Sequence, residues 1–274
     1  MTSPTRSAEN AARRAKNSSA LRTLARIGYA ASGVLHLIIG WLAIQLALGS
    51  SGGSADESGA LRQLADAPGG AFLLWTIVVG LAALGLWHLV QALVGVPGTD
   101  TAKQTGSRIK AAAKAVLYGV LAFTAARIAT GGGGGGGGDT QEDLTAQILG
   151  LPGGQLIVGA IGLTIVGVGV FHVYKGWTKK FREDLVTTGA GAVSQAVVRL
   201  GQVGYIAKGV ALGVLGVLFV YAAATSDADK AGGLDDALKT IRDQPFGVVL
   251  LVITGLGIAA YGLYSFARAR YAKL

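Results

Sequence analysis

The sequence predicts an all-α polytopic membrane protein, with six transmembrane helices arranged as three parallel two-helix repeats in pseudo-threefold symmetry. Six apolar runs are each long enough to cross a bilayer, charge alternates from one connection to the next, and one pattern of proline, glycine and aromatic residues occurs three times. Composition agrees with this. Hydrophobic residues make up 51% of the 274 and charged residues 14%, against roughly 25% charge in soluble domains. A soluble surface needs more polar cover, whereas a lipid-facing one does not. The absence of cysteine excludes disulfides, thiolate nucleophiles and Cys-ligated zinc or iron–sulfur centres.

The runs cover residues 27–48, 70–95, 109–129, 154–175, 200–224 and 246–267. Each suffices for a hydrocarbon core about 30 Å thick. The segment before the first run is basic (Arg6, Arg13, Arg14, Lys16, Arg22, Arg26), as are the second connection (Lys103, Arg108, Lys110), the fourth (Lys179, Lys180, Arg182, Arg199) and the last residues (Arg268, Arg270, Lys273). The other three connections are acidic, with Asp56, Glu57 and Asp66, then Asp139, Glu142 and Asp143, then Asp227, Asp229, Asp235, Asp236 and Asp243. The positive-inside rule predicts both termini in the cytoplasm. An even number of spans requires the termini to share a side. The first run is too long for a signal peptide. The net charge of +9 is thereby explained by topology. It points to anionic lipid as the partner of the basic tails, not to nucleic acid.

The internal repeat divides the chain into a basic tail (1–20) and repeats at 21–97, 98–183 and 184–274. Pro68, Pro152 and Pro245 open the even spans. Counting on from each brings Gly85, Gly169 and Gly262 into register, then Trp87, Phe171 and Tyr264, then His88, His172 and Ser265, then Gln91, Lys175 and Arg268. Short amphipathic stretches at 60–64, 144–148 and 237–241 precede the prolines and are expected as helices lying on the outer membrane surface. In the odd spans Gly33, Gly119 and Gly209 correspond, followed by Gly40, Ala126 and Gly216, with Tyr29, Ala115 and Tyr205 four residues earlier. These positions share one helical face, so small residues there predict close helix packing, reinforced by Gly213 in the fifth span.

The triplicated hairpin, the proline-led even helices and the Gly-Tyr-x-x-x-Gly starts at Gly28–Gly33 and Gly204–Gly209 resemble a bacterial, largely actinobacterial, family known as domain of unknown function 1206. The likeness covers about residues 20–270, and the middle copy departs from it with Lys114 and Ala115 in place of Gly-Tyr. The resemblance implies the fold and brings no activity. Mitochondrial carriers also have three two-helix repeats, but their charged signature is missing here.

Polar groups inside spans are the candidates for function. His36 lies near mid-span on the small-residue face, and Lys208 lies about eight residues into the fifth span, so both are candidate buried polar groups. His88, His172 and Ser265, with Gln91, Lys175 and Arg268 three residues on, fall near the cytoplasmic ends of the even spans. They either line a cationic vestibule around the pseudo-axis or meet lipid headgroups. No metal site, cofactor site or catalytic motif is evident, and the run Gly131–Gly138 lacks the Lys-Ser/Thr ending of a phosphate loop. The sequence therefore predicts a protein that is not an enzyme. A small-solute or anion transport or channel-like scaffold along the pseudo-axis leads. The alternatives are a non-catalytic membrane subunit that assembles with a membrane partner, and a lipid- or cofactor-binding protein.

Overall fold

The structure, a computed structural model, describes residues 19–50, 53–94, 101–132, 137–185 and 192–273. Residues 1–18 of the basic tail and residues 133–136 of the glycine run lie outside them. The described residues form α1 (Ser19–Ala47), α2 (Glu57–Ala65), α3 (Gly70–Val94), α4 (Thr101–Ala129), α5 (Gly137–Leu149), α6 (Gly154–Trp177), α7 (Ala192–Thr225), α8 (Leu234–Arg242) and α9 (Gly247–Tyr271). Short 3-10 turns at Lys180–Asp184 and Ala228–Lys230 join them. Six helices (α1, α3, α4, α6, α7 and α9) are long and apolar enough to cross a membrane. The fold is all-α, built as three two-helix repeats. Helices α4 and α7 begin about two turns before the predicted runs. Their first turns are polar, with Gln104, Arg108 and Lys110 in α4, and such straight side chains sustain helix beyond the apolar region.

The three prolines make one structure in triplicate. In each copy the residue before proline accepts a hydrogen bond from the glycine that starts the next span: Gly70 N to Ala67 O at 2.8 Å, Gly154 N to Leu151 O at 2.9 Å and Gly247 N to Gln244 O at 2.7 Å. The third residue of each turn has positive φ, at 75° for Gly69, 77° for Gly153 and 61° for Phe246. This is a type II turn, with proline fixing φ at the second position and glycine suiting the third. The last copy sets an exposed phenylalanine where glycine is preferred. The fourth position tolerates only glycine, because a Cβ on Gly70, Gly154 or Gly247 would overlap a carbonyl of the preceding short helix.

The closest helix pairs are α3–α4, α6–α7 and α9–α1. Each joins an even span to the next odd one, and the third closes the ring. Glycine explains why. A Cβ on Gly169 would come within 2.8 Å of the Gly209 carbonyl, and one on Gly209 within 2.7 Å of the Gly169 carbonyl. Gly33 and Gly262 face each other in the same way, at 3.0 and 2.8 Å, and one or two turns further on Gly40 meets Gly255 and Gly216 meets Gly162. Apart from Gly162 and Gly255, these glycines are the aligned positions of the repeat. Gly213 contributes differently: its own Cβ direction is open, and its backbone N abuts Gly169. In the middle copy the contact is loose, with a Cβ on Gly85 still 3.5 Å from the Gly119 nitrogen and nothing within 4 Å of a Cβ on Gly119. Between the two spans of the middle repeat the ring opens, and α4 and α6 hardly touch.

The short helices do form, at one end of the bundle, but two of them do not lie on its surface. Ala60 and Leu61 of α2 and Ala237 and Leu238 of α8 are fully buried, in or against a core that includes Leu35, Ile39, Leu42, Leu81 and Leu251. Their apolar faces turn inward because the splayed ends of the spans leave apolar surface that only a short helix can cover. Asp235 of α8 accepts the Ala55 amide at 2.7 Å and pairs with Lys239 at 2.7 Å, joining the third repeat to the first. This end is called the capped end below, and the opposite one the basic end.

These contacts predict unequal costs for one type of substitution. Gly209→Ala should lower thermal stability in detergent by about 1–3 kcal/mol through overpacking. Gly119→Ala should leave it unchanged or raise it by up to about 1 kcal/mol, the helix-propensity gain. Equal effects would contradict the packing described.

Candidate functional site

The polar groups of the spans gather between the bundle centre and the basic end. His36 of α1 and Lys208 of α7 meet directly, with Lys208 Nζ 2.7 Å from His36 Nε2. On its other side the His36 Nδ1–H donates to the Ser32 carbonyl at 2.7 Å. A carbonyl can only accept, so Nδ1 carries the proton and Nε2 is the acceptor for the lysine ammonium. The ammonium also lies 4.6 Å from the centre of the Tyr261 ring, and the His36 ring lies 4.8 Å from it. A cation over an aromatic face gains about 0.5–2 kcal/mol, most when desolvated. Three helices thus share one buried charge.

Four of the aligned polar residues of the even spans, His88, His172, Lys175 and Arg268, meet the next odd span, as the glycines do. His88 stacks on Tyr118 of α4 at 5.6 Å and bonds Gln91 at 3.1 Å. His172 donates to the Val168 carbonyl at 2.8 Å and lies 5.6 Å from the Tyr205 ring of α7. Lys175 reaches over the same Tyr205 ring and pairs with Asp184 at 2.6 Å. Arg268 of α9 lies 4.3 Å from the centre of the Tyr29 ring of α1 and donates to its hydroxyl at 3.2 Å. The buried Ser265 donates to the Tyr261 carbonyl of its own helix at 2.9 Å, so its hydroxyl is already used. The six candidate vestibule residues are therefore distributed over three helix interfaces, each beside a tyrosine.

Charge is unbalanced here. Lys114, Lys175, Lys208 and Arg268 all act electrostatically on Tyr261, which sits among them. Asp184 is the one carboxylate acting on Lys114, and it is engaged by Lys175. The Nε of Arg268 is buried without a hydrogen-bond partner. Arg268 is half-buried and Lys114 is exposed, and both act on the buried Tyr261; the space around these charges is called the recess below. An aromatic cluster of Phe181, Tyr205, Tyr261 and Tyr264 floors it on one side, with Phe181 delivered by the 3-10 turn after α6. Among the described residues no three histidine or acidic side chains converge as a metal site would require.

Sequence reasoning picked out the histidines, Lys208 and the Gln91–Lys175–Arg268 row. It missed Tyr118, Tyr261, Phe181 and Asp184. One signal was available: the residue before the aligned glycines is polar in all three copies, as Ser32, Tyr118 and Lys208. The spans hold no acid, but Glu57 supplies one from the start of α2, half-buried and within electrostatic reach of Lys208.

Three segments of the chain, residues 27–95, 109–179 and 203–272, match the profile described as Domain of Unknown Function (DUF1206). The chain belongs to this family. The DUF1206 unit recurs once per two-helix repeat, as the three identical turns require. The uncharacterized protein YxxB of Bacillus subtilis (strain 168) is 29% identical over 253 residues, covering 92% of this chain and 91% of its own length. No solved structure matches.

In this DUF1206 protein the Glu57 carboxyl is held above its ordinary value of 4.5 by burial, which outweighs the opposing charge of Lys208. A raised carboxyl pKa means that the folded chain holds the proton more tightly than the unfolded one, so stability is lost as pH rises past 4.5. Glu57→Gln should therefore raise the melting temperature at pH 7, and the gain should shrink as pH falls toward about 4. Melting curves of both proteins across that range test it, and a pH-independent difference would refute the burial.

Proposed function

We propose that this membrane protein binds an anion, or an acidic headgroup, in the recess at its basic end, as the loading step of a transport or channel-like scaffold. The supporting observation is the accumulation of cations around Tyr261: Lys208 lies 4.6 Å from its ring centre, and Lys114, Lys175 and Arg268 also act on it electrostatically, against Asp184, which Lys175 already engages. Cations inside a bilayer are costly even where neutral groups hydrogen-bond them, and an anion relieves that cost. The apolar core at the capped end favours loading from the basic end. On this reading the basic end is cytoplasmic, in a bacterial plasma membrane. The basic tails rest on anionic lipid. The protein catalyses no covalent change. The bare outer faces of α4 and α6, with Val116, Val120, Phe123 and Leu163 exposed, support assembly with a membrane partner as the second reading.

Binding is tested by melting the detergent-purified protein with phosphate, chloride or a small dicarboxylate at constant ionic strength. An anion at about a hundred times its Kd should stabilise by about 2.7 kcal/mol. Arg268→Gln with Lys208→Gln should abolish the shift, and anion flux into proteoliposomes should fall with it. Wild-type protein indifferent to every anion would overturn the reading.

Orientation has its own test. A cysteine placed at Gly131 should react with an impermeant thiol reagent in intact cells, and one at Gly106 should not. The opposite labelling would reverse the assignment.

A further inference from the structure

We propose that the ligand of this recess is an anionic phospholipid, admitted sideways through the gap between α4 and α6. This rests on the anion-binding reading above and names its substrate class. The gap is the one place where neighbouring spans of the ring hardly touch. In a bilayer such a break opens onto lipid.

The α6 wall of the gap suits an acyl chain. Ile157, Ala160, Thr164, Gly167 and Phe171 are spaced three or four residues apart, on one face of the helix. All five are exposed, and the stripe begins in an open groove bounded by Leu156, Ile161 and Ile165. The Thr164 hydroxyl donates to the Ala160 carbonyl at 2.7 Å, so the side chain presents its methyl group. A Cβ on Gly167 would meet nothing within 4 Å. The stripe therefore runs from the capped end toward the basic end as a continuous apolar track.

The track ends in charge. Lys110 of α4 holds its ammonium 5.7 Å from the centre of the Phe171 ring, across the gap. One turn further along α4, Lys114 is exposed within the gap and acts electrostatically on Lys175 of α6 and Arg268 of α9. Among the described residues Lys114 forms no salt bridge, and Arg268 donates to the Tyr29 hydroxyl and leaves its buried Nε without a hydrogen bond. A phosphodiester carries one negative charge and acceptor oxygens for two such donors, and its chains are apolar. It matches both parts of the site, whereas a free anion matches only the charge. The departure of the middle repeat from its fellows serves this. Lys114 occupies the position of Gly28 and Gly204, which in the other copies pack against Gly80 with Leu84 and against Tyr261.

The experiment melts the detergent-purified protein with three probes: phosphatidylglycerol, phosphatidylcholine and free glycerol 3-phosphate. Lipid retained through purification is counted by native mass spectrometry. Phosphatidylglycerol should raise the melting temperature by several degrees and remain bound, and phosphatidylcholine should do neither. Gly167→Trp should close the gap, abolishing the response to phosphatidylglycerol and leaving any response to glycerol 3-phosphate. Ala160→Trp, on the same track, is the second block should the first variant fold poorly. Lys114→Gln should weaken phosphatidylglycerol binding at least fivefold. If the blocked variants respond to phosphatidylglycerol like the wild type, or glycerol 3-phosphate stabilises as strongly as the lipid, sideways lipid entry is wrong and anion binding stands. If no anionic probe shifts the wild type, both proposals fall.

Discussion

Backbone contact between glycines organises this protein. Lipid is as apolar as leucine, so two helices gain little by hiding leucines from it and must gain by fitting closely. At Gly33–Gly262 and Gly169–Gly209 the missing side chains let one helix rest on the carbonyls of another. Everything polar in the bundle depends on that proximity. His36 can reach Lys208 only because α1 is held on α9 and α9 in turn packs on α7. Arg268 covers Tyr29 for the same reason. The histidine, lysine and arginine of the even spans lie one or two turns from the aligned glycine, within the zone where the helices are closest.

The middle repeat relaxes this rule, and the asymmetry places the chemistry. Gly85 and Gly119 face each other at longer range, Lys114 replaces a glycine, and α4 shows most of its circumference to the surroundings. A perfectly threefold bundle would present the same closed seam three times. Here one seam is left open next to the cluster of Lys114, Lys175, Lys208 and Arg268 around Tyr261. The aromatic cluster around Tyr261 then separates that charge from the dry core beneath the cap.

Much of the fold was legible in the sequence, because bilayer thickness and periodicity leave few alternatives. Span lengths, the three-copy register and the short helices before the prolines could all be read from Pro68, Pro152, Pro245 and the residues counted from them. Neighbour relations could not. Aligning Gly33 with Gly119 and Gly209 shows that they are equivalent, not that Gly33 meets Gly262. The burial of α2 and α8 was hidden too, since an amphipathic nine-residue stretch reads alike on a membrane surface and over a helix bundle. Glu57 was counted with a loop and excluded from the interior for that reason. Asp184 and Phe181 lay in a connection whose path no periodicity constrains. The site was therefore visible as a set of residues and invisible as a set of contacts.

Closure of the ring by α9 on α1 has a consequence for the order of synthesis. Helix α4 can settle on α3, and α7 on α6, soon after each emerges. Helix α1 is made first and finds its glycine partner, Gly262, only when the last span has been inserted. Until then Gly33 and Gly40 face lipid or whatever helper protein shields them, and His36 lacks the lysine that shares its environment. The two-helix unit repeated in the gene is thus not the unit that packs. Each hairpin lends one helix to its neighbour, as subunits exchange arms in a swapped trimer, and a chain cut short by a single span would leave its first helix waiting for a partner that never comes.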